Sequence, residues 1–291
     1  MSRHRLSALV LGLSLSAAPP TAYFGQTPPG AMAVVFAPDF ISTGKDFVMN
    51  GAFSRDGRSF YYTVTDGPWM KFDVWMTRLE GRTWTPPAPA RLLPGKDTFE
   101  VFFSPDGRRM CFTGGTMANT DIHVMDRAGE GWGAPVPLPE AINTPVYEMF
   151  SSMSAQGTVY FGRGGDLWSA RVEGGTYLKA EPLPAPVNNG AHKAGDPLIS
   201  PKEDFLIFLM GGGPDDQGQA DLYISFRTKD GGWTAPRNLG PEINTPEFEC
   251  APSLTPDGKY LLFTRRKAWK TDVPSKIWWV STDFLQRLRP L

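Results

Sequence analysis

Cysteine and histidine are scarce, with 2 Cys and 3 His in 291 residues. Two cysteines, Cys111 and Cys250, cannot form a multi-bridge disulfide scaffold, and their positions in the repeats described below put them in non-adjacent units as two separate buried thiols. Too few histidines remain after loss of a leader carrying His4 to build a three-histidine zinc centre. Neither charge dominates: Lys+Arg is 29, Asp+Glu is 30 and the net charge is −1. Without a basic cluster the chain is not expected to bind nucleic acid. It has no Gly-x-Ser-x-Gly elbow for a nucleophilic serine. The glycines of Met210-Gly211-Gly212-Gly213 lead into no Gly-Lys-Ser/Thr, so a phosphate loop is excluded as well. Beyond the N-terminus no apolar run is long enough to span a bilayer.

What is present points outward from the cell and towards β-structure. Arg3 and Arg5 precede the apolar stretch Leu6–Ala18, which ends in small residues. This is the pattern of a secretory signal peptide, assigned to residues 1–22, and it predicts a periplasmic or secreted protein. Gly (31) and Pro (28) together make up about a fifth of the chain, and aromatic residues contribute 12%. Frequent turns between aromatic-rich segments favour an all-β fold.

One turn recurs along the whole chain: Ser54-Arg55-Asp56-Gly57, Ser104-Pro105-Asp106-Gly107, Ser154-Ala155-Gln156-Gly157, Ser200-Pro201-Lys202-Glu203 and Thr255-Pro256-Asp257-Gly258. Proline fixes φ at the first corner, Asp bonds the local backbone and Gly accepts positive φ. An apolar strand follows each turn, for example Leu206-Ile207-Phe208 and Leu261-Leu262-Phe263. A strand of the type Asp73-Val74-Trp75 or Asp221-Leu222-Tyr223 comes next. Four strands per repeat at spacings of this size are the signature of propeller blades. Five turns predict a five-bladed β-propeller of four-stranded antiparallel blades, over residues 32–282. Six blades remain open if the long fourth repeat hides a further sheet. The last repeat stops after three strands, and the segment around Val34-Val35-Phe36 is expected to supply its fourth and close the ring. Residues 283–291 are then a short outer tail.

The Ser-Pro-Asp-Gly turn, the apolar strand ending in Phe and the Asp-Ile/Leu-aromatic strand resemble the TolB-type (WD40-like) propeller repeat of exported bacterial proteins. The resemblance covers residues 32–282 and implies a propeller of the bacterial envelope. It carries no residue roles, because five repeats with no extra N-terminal domain read in this sequence depart from the expected pattern of TolB itself.

Candidate site residues follow from the blade plan. Inner strands line a central channel, and acids occur near their starts: Glu100, Glu148, Asp196 and Glu249, with Asp46 or Asn50 in the first blade. Their recurrence equally suits hydrogen bonding to a neighbouring blade. Glu100 and Asp196 stand four residues before the turn Ser, whereas Glu148 and Glu249 stand six before the turn Ser/Thr, so one shared level is not assured. His192 precedes the inner strand of the fourth blade, and His123 replaces an aromatic residue found in the other blades. Trp69 and Trp269 fall in loops between second and third strands, where exposed aromatics suit recognition. No cofactor is expected. Any ion held by these acids, or by Asp215 and Asp216, would be Ca²⁺, which takes oxygen ligands. The expected function is a monomeric binding module for a protein partner or envelope glycan at the channel mouth. A glycan-active, glycoside hydrolase-like enzyme using channel carboxylates is the alternative.

Overall fold

The repeats fold into a five-bladed β-propeller in a computed structural model that describes residues 22–66, 71–116 and 119–290. The proposed leader therefore lies outside the described residues but for Ala22, and Trp69 lies outside them too. Blades I to V have the inner strands Phe47–Phe53, Asp97–Phe103, Met149–Met153, Lys193–Ile199 and Phe248–Leu254. Second and third strands follow in antiparallel order in every blade, and short outer strands such as Val136–Pro137 and Arg237–Asn238 complete the sheets. Blade IV is a single four-stranded sheet, so its long loop hides no sixth blade.

The turn chemistry works as the residues dictate. Ser54 Oγ donates to Asp56 Oδ1 at 2.6 Å, and Gly57, at φ 67°, donates its N–H to Ser54 O. In blade IV Glu203 occupies the glycine position at φ 57°, and Asp204 takes over the hydrogen bond to Ser200 Oγ. Second strands carry central apolar runs such as Phe60-Tyr61-Tyr62 and Leu261-Leu262-Phe263 because both faces of each blade are covered by neighbours. Five apolar clusters fill the five gaps between successive blades. The cluster between blades V and I packs Leu262, Ile277 and Trp279 against Val48, Phe60 and Phe36. Ring closure is made there by Val34–Val35, paired antiparallel with Trp279 and Trp278. The chain end is not loose: Phe284–Leu288 form a short helix, with Phe284 buried in the cluster between blades IV and V.

Candidate functional site

Each inner strand carries the same irregularity. In blade I, Met49 pairs with Thr63 but Ala52 pairs with Tyr61, leaving one extra residue on the inner strand. The same shift occurs in the other four blades. These are β-bulges, which bend a strand and re-aim its side chains. Their central residues are Asn50, Glu100, Phe150, Asp196 and Ala251, all with φ between 50° and 61°. They form one tier around the channel. The bulge N–H groups reach the preceding blade: Asn50 donates to Thr264 Oγ1 and Glu100 to Thr63 Oγ1. Phe150 N–H donates to Glu100 Oε2 at 2.5 Å, and Ala251 N–H donates to Asp196 Oδ2 at 2.8 Å.

Two carboxylates are thus held in the channel wall by one oxygen each, with Thr113 Oγ1 also donating to Glu100 Oε2. Glu100 is 2% exposed and Asp196 7%. Both line a chamber of about 20 Å³ together with Asn50 and Ser151. Asn50 Oδ1 and Ser151 Oγ are buried there without hydrogen-bond partners. Burial pushes the Glu100 carboxyl well above its ordinary range, and the Asp196 charge pushes it further. Burial raises Asp196 to about 7.

Glu148 and Glu249 occupy a different tier and a different environment. Glu148 Oε1 accepts from Thr144 Oγ1 at 2.6 Å and pairs with Arg163 Nε at 2.8 Å. The Arg163 guanidinium also binds Ile142 O and lies 4.6 Å from the Trp168 ring centroid. Blade V repeats the arrangement: Glu249 Oε1 accepts from Thr245 Oγ1 at 2.6 Å and pairs with Arg265 Nε at 2.7 Å. Arg265 in turn donates to Ile243 O and lies 4.1 Å from the Trp278 ring. Asn143 and Asn244, in the same Ile-Asn-Thr-Pro segments, bond the backbone of Ile122 and Leu222. These acids anchor the inter-blade connections. Burial raises both carboxyls, opposed by the threonine hydrogen bonds and the arginine charge.

The remaining candidates sit apart from the chamber. His192 receives no hydrogen bond at its buried Nδ1, and its backbone N–H donates to Asn189 Oδ1. Trp269 is 50% exposed and lies against Phe248, with ring centroids 5.5 Å apart. Phe248, Met49, Phe99 and Cys250 belong to an apolar cluster at the end of the channel where the inner strands begin. His123 stacks on Phe112 as a packed ring. Cys111 and Cys250 are buried free thiols. Both oxygens of Asp216 are engaged, by Tyr223 Oη and the Gly213 N–H. No cluster of three or more His, Cys, Asp or Glu suited to a metal occurs among the described residues.

The opposite end of the channel, where the inner strands run into the Ser-Pro-Asp-Gly turns, opens into a pocket of about 300 Å³. Phe102, Leu198 and Leu254 line it, ringed by the turn prolines Pro105, Pro201 and Pro256. Phe102 and Ser253 line both this pocket and the chamber, so the two adjoin. Sequence reasoning missed this mouth. Its apolar residues read as core, and the bulges break the two-residue alternation that tells channel-facing from blade-facing positions.

The sequence matches no protein family and no curated protein. Solved structures match the fold across most of the chain. A protein assigned as TolB from Agrobacterium tumefaciens is 16% identical, with 89% of this chain and 87% of that one covered at a TM-score of 0.51. A protein of unknown function from Dyadobacter fermentans is 13% identical over 88% and 84% of the two chains, also at 0.51. A glycoside hydrolase is 12% identical over 87% and 91%, at 0.52. At these identities the shared property is the β-propeller, and the TolB-type resemblance of the repeat stands at that level. No helix among the described residues is long and apolar enough to cross a membrane.

Proposed function

We propose that this chain is an exported, non-catalytic binding propeller that takes a segment of a protein partner at the turn-side mouth of its channel. The observation that carries this reading is the pocket of about 300 Å³ walled by Phe102, Leu198 and Leu254. That volume lies at the lower end of the range for ligand sites, roughly 300–1,000 Å³. The Phe and Leu walls suit apolar peptide side chains. Catalysis on a glycan needs acids facing a cleft that admits a sugar ring. Here Glu100 and Asp196 face a chamber of about 20 Å³, with room for one water-sized group. Glu148 and Glu249 are occupied by Arg163 and Arg265. Export, to the periplasm or beyond, rests on the basic, apolar and small-residue order of the N-terminus.

The test is retention of a partner from an envelope fraction by the tagged mature protein, by Leu254→Asn and by Trp269→Ala. Wild type and Trp269→Ala should hold the same protein, and Leu254→Asn should lose it with its thermal midpoint largely kept. Retention by Leu254→Asn and loss by Trp269→Ala would move the site to the other face. A glycan that raises the midpoint, with no protein retained, would replace the protein partner with a glycan.

A further inference from the structure

The chamber behind the turn-side mouth gathers two carboxyls, an amide oxygen and the Ser151 hydroxyl, with no cation paired to the carboxyls among the described residues. Glu100 Oε2 and Asp196 Oδ2 are used by neighbouring blades, while Glu100 Oε1 and Asp196 Oδ1 accept no hydrogen bond among the described residues. Asn50 Oδ1 and Ser151 Oγ are likewise unpartnered, in side chains 7% and 5% exposed. No ion pair among the described residues includes Glu100 or Asp196. Buried polar groups nearly always find partners, and a buried carboxyl either pairs with a cation or keeps its proton. On the turn face the guanidinium of Arg55 is committed to Pro256 O.

We infer that the chamber receives a primary ammonium group, the head of a lysine side chain of the bound partner, whose aliphatic stem lies along Phe102, Leu198 and Leu254. An ammonium has three donors and no acceptor. Asn50 Oδ1 is unpartnered, and Glu100 Oε1 and Asp196 Oδ1 face the same chamber as acceptors once an entering ammonium displaces the protons that burial favours on these carboxyls. The chamber of about 20 Å³ has room for one water-sized group. The adjoining apolar pocket is what separates this ligand from a bare metal ion, which has no use for an apolar approach. Long cationic side chains bury their stems in this manner while their heads reach polar groups. The inference rests on the reading of the turn-side mouth as the binding face. It adds the chemistry that the partner must present.

The experiment titrates n-butylammonium, Nα-acetyl-lysine amide and Nα-acetyl-norleucine amide into the mature protein by calorimetry and thermal shift. CaCl₂ and NaCl form separate arms. Asp196→Asn and Glu100→Gln are the variants, since each keeps the oxygen that the next blade uses. Butylammonium and the lysine amide should bind and the norleucine amide should not. Each variant should weaken binding by roughly 10-fold to 100-fold, the worth of a hydrogen bond to a charged group. The inference is overturned if no amine binds the wild type, or if the variants bind it equally. It is also overturned if Ca²⁺ binds one to one and the same variants abolish it. Amine failure with partner loss in Leu254→Asn would remove this inference and leave the binding face standing. Failure of both would remove both.

Discussion

Glu249 and Asp196 belong to equivalent inner strands of adjacent blades, yet they live under different conditions. Glu249 has Arg265 at 2.7 Å and a threonine hydroxyl at 2.6 Å, with Trp278 closing the far side of the guanidinium. Asp196 has one backbone N–H and an open chamber. The same contrast separates Glu148 from Glu100. An acid folded together with its own cation is part of the frame. An acid folded without one keeps its proton until, on our proposal, a cation arrives from outside. Two residues along a strand decide between these roles, because Asp196 and Glu100 sit in the bulge itself whereas Glu249 and Glu148 precede it.

The sharpest way to break the contrast is to turn a paired acid into an unpaired one. Arg265→Ala leaves Glu249 buried without its cation and should cost about 3–5 kcal/mol, read as a lower denaturation midpoint. A midpoint unchanged from wild type would show that the pair is not structural. The converse substitution removes an acid that has no cation. Asp196 is raised from 3.8 to about 7, so between these values the folded chain keeps a proton that the unfolded chain has released. Stability from this group is present at low pH and is lost as pH rises through that window. Asp196→Asn should therefore raise the midpoint at pH 8, by up to about 4 kcal/mol in stability, and leave it unchanged near pH 4. Equal effects at both pH values would refute the assignment. The smallest effect sharpens the frame tier: Thr245→Val deletes one hydroxyl donated to Glu249 and should cost about 1.5–3 kcal/mol, measured by urea denaturation.

The fold was legible because its signals are local and repeated. The Ser-x-Asp-Gly chemistry marks each hairpin without reference to the rest of the chain, and the incomplete last repeat pointed to Val34-Val35 as its missing strand. The candidate site was legible in part. Counting back from the turn Ser does group Asn50, Glu100 and Asp196, and it separates them from Glu148 and Glu249. Nothing in the spacing reveals that Arg163 and Arg265, each on the strand after its acid, cancel one tier and not the other. Phe102, Leu198 and Leu254 look like any apolar strand residues until the channel is assembled around them. Ser151 gains meaning from Glu100 and Asp196 across the channel, a relation that exists only in three dimensions.

Ring closure has a consequence in time. Val34 and Val35 leave the synthesis machinery early, yet their partners Trp279 and Trp278 lie near the end of the chain. Four blades can form from local hairpins as they emerge, but the fifth must wait for both ends of the polypeptide. Until then the ring is an open arc, and the rims of blades I and V, with Phe60 on one side and Leu262 on the other, face water. A chain threaded through a narrow pore from its N-terminus carries its clasp first and its catch last. The molecule is therefore either finished or unclasped, and a second unclasped copy nearby offers the same catch to the same clasp.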